Sequence, residues 1–408
     1  PHSRLFSSLF SFQTTHPPVM RSLSTTVTLL SLSATALAGS SCIAFDTTWN
    51  LLAFGFNGKD FNAGTSTSWS SGSATDITAT GRPPFNGNNT KCYLAEFFNA
   101  IYVLGADTSK PSDIYIYDAS AKSWSTQAIT GGPDMTNYEA ILDHDTNVFY
   151  ALSKGETFSL DMASLKAAQS SSIAWIDQGP AGITTTNYDP VMAIAQNHIY
   201  LFGVPNVPAG NAAIFVIHFA FWQPGSQSYN GNFPDTHGQA TSFFLDSVVQ
   251  ENIAFIPDDG SATYIVNVQF NTTNTMAGPS TVDSKAVYFA SETALVQLAS
   301  SGAVSWIPYN PTDASANSAA KWSTVQNLAA VAPAGSGSSA SSSASGGSAS
   351  TPAAGSPASQ TAGAASKGAS ASATGSASQP SGSSAASRSV IVSSGSVLGM
   401  IAVALSLF

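Results

Sequence analysis

A repeat of about fifty residues constrains this chain more than any other feature. Ile101-Tyr102-Val103-Leu104-Gly105, Val148-Phe149-Tyr150-Ala151-Leu152 and Ile199-Tyr200-Leu201-Phe202-Gly203 are versions of one apolar segment, their tyrosines 48 and 50 residues apart. Each is followed by a tryptophan (Trp124, Trp175 and Trp222) at offsets of 22, 25 and 22 residues. Leu51-Leu52-Ala53-Phe54-Gly55 with Trp69 reads as an earlier copy. Ile253-Ala254-Phe255-Ile256, and Ala286-Val287-Tyr288-Phe289-Ala290 with Trp306, read as later, more degenerate ones. The apolar segments are short, alternating and bounded by turn formers, as in Ile114-Tyr115-Ile116-Tyr117, which is the pattern of strands. Only residues 161–169 look briefly helical.

A unit of this length with four short strands suits a β-propeller blade. One blade cannot cover both of its faces, whereas a ring of blades covers them and leaves only short edges. The chain is therefore expected to be all-β, a β-propeller of six four-stranded blades, or seven. The expected blades are about 45–88, 90–134, 136–184, 186–236, 238–280 and 282–310. The recurring Tyr and Trp are expected as rigid wedges between blades. The segment after Cys42 is expected to add a strand to the last blade and close the ring.

The second copy carries a family resemblance. Ile101 to Gly105, then Ser112-Asp113-Ile114-Tyr115-Ile116-Tyr117-Asp118, then Lys122-Ser123-Trp124 resembles the kelch motif. The likeness is sharp over 92–133 and departs elsewhere. Kelch repeats usually carry a Gly-Gly pair, where this chain has Gly105-Ala106, Gly203-Val204 and Ser153-Lys154. Kelch-like propellers also form the core of secreted fungal copper-radical oxidases related to galactose oxidase, so the resemblance raises the question of a copper site. Such sites are similar in using two His and two Tyr, one cross-linked to a Cys. Here the body's histidines, His144, His198, His218 and His237, are scattered, and both cysteines are better used otherwise. No metal ligand set and no cofactor are expected.

The two ends read as addresses. Met20-Arg21, a mildly apolar stretch from Leu23 to Leu37 and Ala36-Leu37-Ala38 match a secretory signal, so residues 1–38 are expected to be an upstream segment and signal peptide. Residues 39–332 form a block of 294 residues with no internal linker. Residues 333–389 are nearly all Ala, Gly, Ser, Thr and Pro, with 24 Ser and Thr. Such a segment cannot bury enough apolar surface to offset its chain entropy, so it is expected to be a disordered, O-glycosylated stalk. Residues 390–408 end in an apolar run too short to span a bilayer. With small residues near Ser384 upstream, they match a glycosylphosphatidylinositol (GPI) attachment signal, with a tail anchor or loose terminus as the alternative. The expected setting is extracellular, on a membrane or cell wall of fungal type. In an oxidising compartment Cys42 and Cys92 are expected to form one disulfide. Asn88 and Asn271 are expected N-glycosylation acceptors.

Charge narrows the partners. Charged residues make up 9% of the chain, and the net charge is −10. The body holds 9 basic residues against 23 acidic ones, a net of −14, while the ends hold only four charges, Arg4, Arg21, Lys367 and Arg388. A nucleic-acid binder needs the opposite sign. The body has no G-x-S-x-G elbow and no phosphate-cradling loop, and Asp143-His144-Asp145 has the form of a hairpin turn rather than a metal cluster. Binding of glycans or proteins at a cell wall by a monomeric, non-catalytic propeller is the expected function. A glycan-active hydrolase or oxidase is the alternative. The most aromatic loop, 221–233, makes Tyr229, Phe233 and Trp222 the candidate ligand-binding residues, although Trp222 also falls on the blade period.

Overall fold

The structure is a computed structural model, and it describes residues 40–245 and 249–332. The signal, stalk, GPI-signal and Ser384 expectations fall outside these residues. Among the described residues the strands form six successive four-stranded antiparallel sheets, the blades of a propeller, and one short parallel pair, Ile129–Thr130 with Ile173–Ala174. Blade 1 is Cys42–Phe45, Leu51–Phe56, Lys59–Asn62 and Thr75–Asp76; blade 2 is Lys91–Ala95, Ala100–Leu104, Ile114–Asp118 and Ser123–Gln127. Blade 3 is Glu139–Asp143, Val148–Ser153, Glu156–Asp161 and Ile176–Pro180. Blade 4 runs Val191–Ala195, His198–Phe202 and Asn211–Val216, with its outer strand split into Phe221–Trp222 and Gln227–Ser228. Blade 5 is Gly238–Ser242, Asn252–Pro257, Ala262–Asn267 and Thr272–Ala277. Blade 6 is Val287–Ala290, Ala294–Leu298, Val304–Pro308 and Ser323–Thr324. No described helix is long and apolar enough to cross a membrane.

The core is a ring of seams, because successive residues of a strand face opposite sides. In blade 2, Ile101, Val103, Tyr115 and Tyr117 pack with blade 1, while Tyr102, Leu104, Ile114 and Ile116 pack with blade 3. Strands covered on both faces can be apolar throughout, and all five residues of Ile114–Asp118 are buried. The repeat markers divide the work. The second-strand tyrosines face the following blade: Tyr102 meets Phe149, and Tyr150 meets Phe215. The tryptophans face the preceding one: Trp124 packs at 5.2 Å on Phe54.

The tryptophans explain a second, unread repeat. A Cβ on Gly132 would lie 2.3 Å from the Trp175 ring, and one on Gly182 would lie 2.5 Å from Trp222. Each ring lies over a glycine of the linker that leaves the preceding blade. Gly132 is also left-handed, with φ +101°. Gly132→Ala is therefore expected to lower stability by about 2–4 kcal/mol, from overpacking and backbone strain together. Chemical denaturation measures this, and a loss below 1 kcal/mol would show that Trp175 moves aside freely.

Three sequence expectations are corrected. Cys42–Phe45 does not join the last blade; it pairs with Leu51–Phe56 as the inner strand of its own blade. The closing contacts come from the C-terminal segment after blade 6. Gln326 N donates to Trp69 O (2.7 Å), Asn327 Nδ2 to Ala63 O (2.7 Å), and Asn57 Nδ2 to the carbonyls of Val331 and Ala332 (both 3.0 Å). Phe45 against Phe289 and Trp69 against Trp306 fill the same seam. Residues 286–290 belong to the inner strand of blade 6 rather than its second strand, and Trp306 lies on the third strand. Residues 161–169 form turns instead of a helix, because Asp161 caps Ala163 N at 2.7 Å and Ala163 is left-handed. The short helices are Ala314–Ala319 and Gln326–Ala329.

Candidate functional site: the central channel

The inner strands of all six blades surround one axial space, and its wide mouth lies where those strands begin. Each blade contributes a polar side chain there: Ser41, Lys91, Glu139, Asp189, His237 and Lys285, at intervals of 50, 48, 50, 48 and 48 residues. The blade period thus places one residue after another around a single rim. The mouth encloses about 800 Å³. Amides and hydroxyls fill the gaps, among them Asn88, Asn137, Gln239 and Ser300.

Most of the charges at the rim are paired, within a blade or across a seam. Lys91 of blade 2 contacts the Glu139 carboxylate of blade 3, and its ammonium lies 5.6 Å from the Tyr138 ring centre. His237 Nδ1 lies 2.8 Å from Asp258 Oδ2, while Nε2 faces Asp189 Oδ2 at 3.5 Å. Lys285 makes no ion pair among the described residues and stands beside the hydroxyl-bearing Ser284 and Ser300. Burial, followed by the nearby Glu139 charge, pushes the Tyr138 hydroxyl well above the usual phenol range, so it is a neutral group at any physiological pH.

Beyond the mouth the channel narrows to a chamber of about 150 Å³. His144 lines it from the hairpin turn Asp143–Asn147, where Asp143 accepts from Thr146 Oγ1 at 2.7 Å. His144 is 4% exposed, under Phe97 and Phe244. Glu96 Oε2 is 3.1 Å from Nδ1, yet among the described residues neither ring nitrogen has a well-aligned hydrogen bond. Burial lowers the His144 pKa, but Glu96, Gln250 and Asp145 outweigh it and raise it above the usual value of 6.5. A histidine raised on folding adds stability below the unfolded pKa and loses it as pH climbs through the folded one. The melting temperature is thus expected to fall as pH rises above about 6.5, and less so in His144→Gln. Identical pH profiles for the two proteins would remove His144 as the cause.

The structure places the expected site residues differently. Tyr229 and Phe233 are 1% and 0% exposed and sit in the seam between blades 4 and 5, against Tyr200 and Phe255. The segment has the Gly, Pro and Asn of a loop, but Gly210 holds it back onto the blade: Tyr229 N donates to Gly210 O and Gly210 N to Phe233 O. Both aromatics are seam residues, as is Trp222, packed at 5.0 Å on Phe215. Cys42 and Cys92 form a disulfide with Cα atoms 5.8 Å apart, joining the inner strands of blades 1 and 2. Asn88 is exposed at the mouth, and Asn271 is exposed on the turn before the outer strand of blade 5. No cluster of three or more His, Cys, Asp or Glu suited to a metal ion occurs among the described residues. His218 lies on a short 3₁₀ turn, Ile217–Phe219, and not on a strand.

The rim residues escaped the sequence reading because they lack an apolar or motif signature. Their common signal is the period itself: one polar residue at each inner-strand start.

The class defined by this architecture is a six-bladed β-propeller with a polar axial mouth. No protein-family model and no curated protein matches the chain. Among solved structures it is similar to the structure of YjhT, at 9% identity with a TM-score of 0.45, over 70% of this chain and 97% of that one. It is also similar to a chain of the nidogen/laminin complex, at 10% identity with a TM-score of 0.38, over 58% and 79%.

Proposed function

We propose that this is a non-catalytic, kelch-like propeller that binds the end of a neutral glycan in the wide mouth of its channel. We further propose that it acts outside the cell as a monomer, tethered through a lipid anchor, with wall glycans as its partners. The carrying observation is the rim itself. Six blade-equivalent polar residues of both signs, interleaved with amides and hydroxyls, border a space large enough for several sugar rings. Rim charges of both signs, most of them paired, leave no strong field to favour a polyanion or polycation, while many fixed donors and acceptors suit a ligand rich in hydroxyls.

The test is a glycan array on the secreted chain, followed by calorimetry with the Asp189→Ala/Lys285→Ala double variant. Both side chains lie at the rim, and Asp189 is largely exposed, so the fold should tolerate their loss. Losing two polar contacts is expected to weaken binding at least tenfold. No retained glycan, or full affinity in the variant, would sink this reading.

A second reading, a glycan-active hydrolase, is favoured by one observation. Asp258 holds His237 Nδ1 at 2.8 Å, which directs Nε2 toward the mouth as a general base requires. A turnover screen on acylated and aryl glycosides, with His237→Gln as control, separates it from pure binding.

A further inference from the structure

We propose that the narrow chamber beyond the mouth is a subsite for a small aromatic substituent carried by the glycan, so that the ligand is an aryl glycoside. This rests on the reading of the mouth above and specifies its ligand class.

The two spaces are continuous: Lys91, Glu139, Gln239 and Val287 border both. Across that junction the lining changes character. The mouth presents amides, hydroxyls and charges, whereas in the chamber the apolar side chains of Leu142, Met192, Ile194, Ala240, Phe244 and Phe289 outnumber polar ones such as Thr241, Ser242 and Gln250. A sugar ring pressed against the apolar part of these walls would leave several of its hydroxyls without partners, which opposes entry. An apolar group gains by leaving water there. Size narrows the choice. The chamber holds about 150 Å³, and an apolar cavity of about that volume is known to accept benzene.

The far end adds a polar requirement. His144 is nine-tenths buried and borders the chamber; Glu96 Oε2 lies 3.1 Å from Nδ1, and among the described residues neither ring nitrogen has an aligned hydrogen-bond partner. An aromatic ring with a hydroxyl opposite its glycosidic oxygen would bring that hydroxyl to the histidine end while its sugar stays among the rim residues. The spatial order of polar mouth, largely apolar waist and a buried polar end made by His144 and Gln250 therefore matches a 4-hydroxyphenyl glycoside better than a plain oligosaccharide.

The experiment measures binding of methyl, phenyl and 4-hydroxyphenyl β-glycosides of glucose and N-acetylglucosamine, and of hydroquinone alone, to the full chain. The 4-hydroxyphenyl glycosides are expected to bind at least tenfold more tightly than the methyl ones, with phenyl between. Ala240→Phe should fill the chamber and abolish that advantage while leaving methyl glycoside affinity unchanged. Thr241→Leu, at the same wall, replaces it if Ala240→Phe does not fold. Equal affinity for methyl and aryl glycosides, or an aryl advantage that survives the filled chamber, overturns the subsite. Hydroquinone separates the two ideas. Its binding, lost in the filled variant, supports the chamber even if no methyl glycoside binds and the mouth reading fails.

Discussion

Replacing Arg82 with methionine is expected to destabilise the fold by about 3–5 kcal/mol, the cost of leaving a buried charge without its partner. Asp60 is fully buried, and Arg82 grips it with two hydrogen bonds, Nε to Oδ2 at 2.8 Å and Nη2 to Oδ1 at 2.7 Å. The same carboxylate accepts from Gly55 N at 3.0 Å, so it ties the second strand of blade 1 to the linker that leads into blade 2. Methionine keeps the aliphatic packing but removes both charge-assisted bonds. Urea unfolding of the variant against wild type measures the loss. The control is Lys154→Ala, which removes an exposed pair with Asp134 and should leave the unfolding midpoint unchanged, because solvent screens such pairs. An Arg82→Met protein as stable as the control would mean that water or a proton reaches Asp60 and replaces the guanidinium.

The second large effect is expected at the disulfide. Cys42 and Cys92 are 50 residues apart, and opening that loop in a Cys42→Ala/Cys92→Ala protein should cost about 4 kcal/mol in the chain-entropy model. The bridge joins the inner strands of blades 1 and 2, next to the seam where blade 1 meets blade 6 and the ring closes. Reduction of the wild-type protein should reproduce the variant's midpoint. A loss below about 1 kcal/mol would show that pairing of Cys42–Phe45 with Leu51–Phe56 and the C-terminal clasp hold blade 1 without the bridge. Arg82 and the disulfide stabilise the same blade 1–blade 2 junction, so their combined loss should differ from the sum of the two.

The elements that could be read from sequence share one property: local residue pattern decides them. The second strands of blades 1 to 5 were legible because alternation and β-branched or aromatic content recur there at one period. Val287–Ala290 reads as a second strand in sequence because an inner and a second strand of a propeller are both buried on two faces and look alike in composition. Tyr229 and Phe233 were misplaced for a related reason. Gly225, Asn230 and Gly231 mark a turn-rich segment, but whether that segment stands free or folds back onto its blade depends on Gly210, some twenty residues away. The rim was unread because Lys91, Glu139, Asp189, His237 and Lys285 share a place and not a chemistry.

The sequence by itself determined the all-β class, the fifty-residue unit and the cysteine pairing, since each follows from periodicity, composition or the simple count of two cysteines. Tertiary structure decided how the ring is closed, which aromatics are seam and which groups share the channel. Closure depends on Asn57 meeting Val331 and Ala332 across 274 and 275 residues, and the rim depends on six strand starts converging on one axis. Neither is a local preference. Both are consequences of blades that must cover one another's faces, and that requirement is met only when the whole ring is assembled.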